Sequence, residues 1–222
     1  MSSKIGILDS ISEKNDSTTR ARIAEVYKLV AASIMASVVG VFVGQELVSV
    51  IQQYFIGFII LEFALLFGLM FAKEKVPLNL ILMFGFTFMT GLTMAPLIAM
   101  YLSTEAGVNI LSTALLATGA SVGGLSLYAM KTKKDFTVYG QILFVALIAL
   151  VVVGIANIFI QSSFLHLAMA YVGAILFSMY LIVDTQRLVR GMYSSPIIMA
   201  VNIYLDILNL FLSILSILSS RK

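Results

Sequence analysis

The sequence predicts an all-α membrane protein of seven transmembrane helices with a cytoplasmic N-terminus. Three observations carry that prediction. Of 222 residues, 60% are hydrophobic and 11% are charged, against about 45–50% apolar and about 25% charged in soluble domains. A soluble fold of this length has no room to hide so much apolar side chain. The apolar residues fall into seven stretches, each near the ~20 residues that a helix needs to cross about 30 Å of hydrocarbon. The basic residues gather in alternate links between those stretches. Helices are required because lipid gives the backbone no hydrogen-bond partners. Membrane β-strands would read as alternating segments of about ten residues, and none is seen.

Taken in order, residues 1–22 are polar, lack the apolar core of a secretory signal peptide, and read as a mobile or interfacial cytoplasmic tail. Residues 23–222 read as one transmembrane domain. Its first span, Tyr27–Gly44, carries Gly40 and Gly44 at a spacing that lets helices approach closely. The second, Tyr54–Ala72, holds Glu62. Pro96 is expected to bend the third, Val76–Tyr101. Gly119 and Gly123 repeat the glycine spacing in the fourth, Val108–Met130. Asn157 in the fifth, Phe136–Ile160, reads as an interhelical hydrogen-bonding residue. The sixth, Phe164–Val183, has His166 at one interface and Asp184 at the other; the seventh is Ile197–Leu218.

The tail and first helix mouth carry Lys4, Lys14, Arg20, Arg22 and Lys28. Lys73 and Lys75 lie in the second link, Lys131, Lys133 and Lys134 in the fourth, Arg187 and Arg190 in the sixth. The first, third and fifth links have no Lys or Arg. By the positive-inside rule the N-terminus and even links are cytoplasmic, which satisfies twelve of the fourteen basic residues. Arg221 and Lys222 fall outside if the last segment crosses fully and inside if it is re-entrant; seven full crossings are expected. The expected location is the cell (inner) membrane.

Absent residue types exclude much chemistry. With no cysteine there is no disulfide framework or thiolate site. A single histidine rules out multi-histidine metal centres and Ser/His triads. A net charge of +3 is no nucleic-acid signature. No enzyme activity and no bound cofactor are expected.

Ionisable residues at membrane depth are costly and mark functional sites by default. Glu62, Asp184 and Asp206 qualify. Around Asp206, the residues Asn202, Asn209, Ser213, Ser216 and Ser220 follow three- and four-residue spacing, so all share one helix face. Such a stripe either lines a hydrated path or packs against polar groups of other helices. The sixth and seventh spans form an antiparallel hairpin about Arg190–Pro196, so Asp184 and Asp206 fall at one depth near the cytoplasmic end. Adjacent carboxylates in low dielectric tend to share one proton and titrate as a unit. Lys73 is the natural basic residue to compete with that proton. Asp184 alone also reads as an interfacial residue, capped by water or paired with Arg187 one turn on. Glu62 also reads as a protonated packing donor, and Lys73 as a snorkelling anchor.

The run Gly173-Ala-Ile-Leu-Phe-Ser-Met-Tyr-Leu-Ile-Val-Asp184-Thr and the later Tyr204-Leu-Asp206-Ile-Leu-Asn-Leu-Phe211 resemble the signature of the Bax inhibitor-1 (transmembrane Bax inhibitor motif) family. Leu61-Glu62, Gly91 to Pro96 and Val153-Gly-Ile-Ala-Asn157 extend the likeness over almost the whole chain, and the short loops are similar to its bacterial branch. The resemblance implies a central helix enclosed by the others and a pH-sensitive calcium leak. It implies that Asp184 and Asp206 form the pH-sensing pair and that a basic residue of the second span latches it. Lys73 stands at that position, where the family usually has arginine; a lysine lacks the planar two-pronged contact.

The expected function is therefore a calcium leak gated by the Asp184/Asp206 pair, with Glu62, Asn202, Asn209 and Ser213 along the ion path. Asp206 and Glu62 supply oxygens for calcium; the partners are the lipid bilayer, calcium and protons. A proton-coupled cation exchanger would use the same acids. A non-conducting regulator would bind a membrane protease or another membrane protein instead. Two aspartates on consecutive helices also describe an intramembrane aspartyl protease, but here Asp206 sits in Tyr-Leu-Asp-Ile, without a flanking glycine.

Overall fold

The computed structural model describes residues 2–220, with side chains described from Ser17 onward. Among the described residues there is no strand. The elements are α1 (Ser2–Gln45), α2 (Val48–Gln53), α3 (Phe55–Ala72), α4 (Leu78–Leu102), α5 (Glu105–Lys131), α6 (Gly140–Ile160), α7 (Ser163–Val189) and α8 (Pro196–Ser219). Seven of them, all but α2, are long and apolar enough to span a membrane. They coincide with the seven stretches expected from hydropathy.

The differences lie at the edges. Helix α1 begins at Ser2, ahead of the first apolar stretch, so the backbone of the expected polar tail is helical. The side chains of Lys4 and Lys14 fall outside those described, as do Arg221 and Lys222. The first link holds α2, which its sequence did not announce; Ile51 fastens it by burial against Leu92 and Ala95 of α4. Pro96 lies inside α4, as expected for the third span. Asn157 bonds the N-cap residue of the next helix, α7. Its Oδ1 accepts from Ser162 N at 3.0 Å, tying the α6–α7 turn where Gln161 is left-handed at φ 53. Two starts carry side-chain caps: Thr104 Oγ1 takes Gly107 N at 3.1 Å, and Ser162 Oγ takes Leu165 N at 3.3 Å.

Helix α8 is the centre of the bundle. It packs against α1, α4, α5 and α7, and 56% of its apolar window is buried, against 6% for α6. Lipid tails are as apolar as the side chains, so association rests on close packing rather than on the hydrophobic effect. Glycine makes the α1–α4 crossing possible. A Cβ on Gly40 would land on the Phe88 carbonyl, and one on Gly91 would land on the Ser37 carbonyl. Gly119 and Gly123 share the spacing but form no close crossing: nothing lies within 4 Å of an added Cβ, and Gly119 lines an open cleft of about 560 Å³ between α1, α4, α5 and α8.

Contacts between links show that the second, fourth and sixth share one face, called the basic face below. Ser195 Oγ lies 3.5 Å from Lys73 O, and Gln186 Nε2 donates to Lys134 O at 2.8 Å. Arg190 pairs with Asp135 at 2.8 Å. On the opposite face, Tyr101 Oη and Ser219 Oγ are 2.6 Å apart.

Candidate functional site

The site at the basic face is built on the α7–α8 hairpin. Folding back at residues 190–195 brings the last turns of α7 beside the first turns of α8, which places Asp184 and Asp206 together. Both are buried, at 3% and 6% exposure, and close enough for their charges to interact. Asp184 Oδ1 accepts from Arg187 Nη1 at 2.9 Å. The guanidinium reaches across to α6, where it occupies the space that a side chain on Gly140 would fill. Asp206 Oδ2 is buried without a hydrogen-bond partner among the described residues. Tyr180, one turn before Asp184, is within electrostatic reach of both carboxylates and of Arg187. Two buried acids thus sit beside one cation, whose side chain reaches the interface.

That cation is Arg187, where the sequence pointed to Lys73. Arg187 is three residues from Asp184 on the same helix, within direct reach of it. Lys73 is the C-cap of α3. Its carbonyl accepts from Asn79 Nδ2 at 3.0 Å, and its ammonium makes no ion pair among the described residues.

Around this pair the α5–α6 link is fastened to α7. The buried side chain of Gln186 donates to Lys134 O and accepts from Phe136 N, both at 2.8 Å. Asp135 bonds Thr137 through the hydroxyl at 2.7 Å and the N–H at 2.9 Å, and pairs with Arg190. Those partners, the Thr137 hydroxyl foremost, hold its carboxyl down at about 2. Gln186 and Gly140 were not singled out from the sequence. No spacing rule marks a residue whose partner is a distant loop backbone.

Glu62 stands elsewhere. It accepts a hydrogen bond from Thr93 Oγ1 of α4 and lies within electrostatic reach of Tyr204, in a second polar cluster. There Tyr204 Oη lies 2.7 Å from Ser37 Oγ, which also bonds Thr87 O at 2.8 Å. Tyr204 and Asp206, two residues apart, occupy nearly opposite faces of α8. Glu62 therefore does not join Asp206, and the two expected calcium contacts belong to separate sites. No group of three or more His, Cys, Asp or Glu that could hold a metal occurs among the described residues.

The polar stripe of α8 divides. Asn202 is exposed near the basic face. Asn209, Ser213 and Ser216 line a cleft of about 440 Å³ whose walls come from α6 and α7. At its far end Ser216 Oγ lies 2.8 Å from His166 Nε2.

Comparison with known proteins agrees with this architecture. The family model described as "Inhibitor of apoptosis-promoting Bax1" matches residues 19–222. An uncharacterized protein of Campylobacter jejuni is 48% identical over 202 residues, covering 89% of this chain and 87% of its own. An uncharacterized membrane protein of Vibrio cholerae is 39% identical, covering 63% of each chain. The Golgi anti-apoptotic protein of vaccinia virus is 36% identical over 71% of this chain and 66% of its own.

Proposed function

The chain belongs to the Bax inhibitor-1 family of multi-pass membrane proteins, and from that premise we propose that it is a calcium leak of the cell inner membrane, gated by protonation of the Asp184/Asp206 pair. The observation that carries the reading is two buried carboxylates side by side, one paired with the guanidinium of Arg187 and the other with an oxygen left unpartnered among the described residues. With both acids ionised, the pair holds Arg187 and leaves one negative charge over. A proton removes that excess, and a second loosens the hold on Arg187. Because Arg187 sits between Asp184 on α7 and Gly140 on α6, loosening it frees α6 from the hairpin. Acid therefore favours the open state. Lys73, on the adjoining link, is in this scheme an interfacial anchor, and the exposed Asn202 lies on the approach to Asp206.

The test is calcium flux into liposomes carrying the purified protein, measured against pH. Asp184→Asn and Asp206→Asn should each flatten the profile, and the double change should add little, because coupled acids titrate as one unit. Absence of flux at every pH would sink conduction. A pH profile that survives both substitutions would move the sensor to Glu62. A proton-coupled exchanger would show flux that a proton gradient drives uphill. A non-conducting regulator is the second reading, and the exposed glycines Gly123 and Gly124 of α5, with open space around them, favour it, since bare helix faces suit membrane-protein partners.

A further inference from the structure

We propose that the cleft between α6, α7 and α8 is a hydrated cation route from the aspartate pair toward the face opposite the basic one, and that the His166–Ser216 hydrogen bond closes its mouth. The inference rests on the conduction reading above and adds to it a route and a second gate.

Most hydrogen-bond donors along the stripe are already used. Asn209 Nδ2 donates to Leu205 O and Ser213 Oγ donates to Asn209 O, each at 2.7 Å. What these side chains have left to offer is mainly acceptor oxygen: Asn209 Oδ1, which has no partner among the described residues, and the lone pairs of Ser213 Oγ. Acceptor oxygens that outnumber the one free donor, the second N–H of Asn209 Nδ2, suit a hard cation better than an anion. The row continues one turn toward the basic face into Asp206, whose Oδ2 also lacks a partner among the described residues. From Asp206 to Ser216 is ten residues along one face, about 15 Å of helix, or half the hydrocarbon thickness.

Space above the stripe exists because two wall residues have no side chain. A Cβ on Gly173 would stand 2.7 Å from Ser213 Oγ, while one on Gly154 would meet only Met169 Sδ at 4.0 Å. At the far end, Ser216 of α8 and His166 of α7 bridge the cleft at 2.8 Å. A cation travelling the stripe must part that bond.

The chain has no cysteine, so single cysteines report access directly. In proteoliposomes, Ser213→Cys should react with a membrane-impermeant, positively charged thiosulfonate. Leu116→Cys, on the exposed face of α5, should not. Gly154→Leu should remove most of the flux by filling the cleft, and His166→Ala should raise it. If Ser213→Cys reacts only with a membrane-soluble maleimide, lipid fills the cleft and the proposal falls. It falls equally if Gly154→Leu and His166→Ala both conduct as the unmodified protein does. Access is read whether or not calcium passes. Labelling of Ser213→Cys by the charged reagent without any flux would support the hydrated cleft and overturn the conduction reading alone.

Discussion

Arg187 Nη1 lies 2.9 Å from Asp184 Oδ1, one turn further along α7, with the acid almost fully buried and the arginine one-third exposed. An ion pair that straddles the boundary between dry interior and interface differs from a surface pair. Its acid cannot turn to water when the arginine is lost.

Arg187→Gln should therefore destabilise the protein by about 1–3 kcal/mol, between the values for exposed pairs and for fully buried pairs that lose one partner. Asp184→Asn added to it should recover part of the loss, because the stranded charge is then gone. Lys73→Met should leave stability unchanged. Thermal unfolding in detergent checks all three. A loss for Lys73→Met as large as that for Arg187→Gln would restore the lysine as the partner of the pair.

The glycines give a second comparison, since Gly40/Gly44 and Gly119/Gly123 have the same spacing. An alanine at Gly40 or Gly91 pushes against backbone of the facing helix, which cannot swing aside, and should cost about 1–3 kcal/mol. An alanine at Gly119 or Gly123 meets nothing within 4 Å and should stay within about 1 kcal/mol of neutral, with helix propensity favouring the change. Equal losses at the two seams would mean that α5 also packs through its glycines, against a second copy or a partner.

Those glycines also show where sequence reasoning stops. The spans were legible because each is a continuous apolar run of bilayer length, and the side-by-side aspartates because a short hairpin fixes which residues share a depth. The α8 stripe was legible because three- and four-residue spacing is a property of one helix. Which neighbour faces a given residue is not a property of one helix. The spacing of Gly40/Gly44 and Gly119/Gly123 could not tell a close-packed seam from an open one. Likewise Arg187 and Lys73 were both basic residues near the right depth, and only side-chain reach separates them. Glu62 found Thr93 and the Tyr204 cluster because α8 turns that face toward α4, a rotation that hydropathy did not fix.

The orientation of the bundle is open to a direct test. Residue 133 lies in the link on the basic face, whereas residue 163 opens α7 at the other. Lys133→Cys and Ser163→Cys should therefore label from opposite sides of the membrane, with Lys133→Cys reached from the cytoplasm if the basic face is inside. Labelling of both from one side would break the seven-span topology.

The last prediction separates the link that fastens α5–α6 to α7 from the sensor itself. Asp135 is an acid with a cationic partner, as Asp184 is, but it is exposed. Its carboxyl is held at about 2, below its ordinary 3.8, by the Thr137 hydroxyl, then Arg190 and the Thr137 N–H. A depressed acid contributes its stabilisation above the ordinary value and loses it as pH falls through the folded one. Asp135 is therefore fully charged across neutral and mildly acidic pH, and its pairing with Arg190 does not change there. Asp135→Asn should leave the pH midpoint of calcium flux where it is, while tryptic cleavage at Lys131, Lys133 and Lys134 becomes faster. Gln186→Leu should loosen the same link more, because it strands the Lys134 carbonyl and the Phe136 N–H at a cost of about 1–3 kcal/mol. If Asp135→Asn moves the midpoint as far as Asp184→Asn does, proton sensing resides in this link as well as in the aspartate pair.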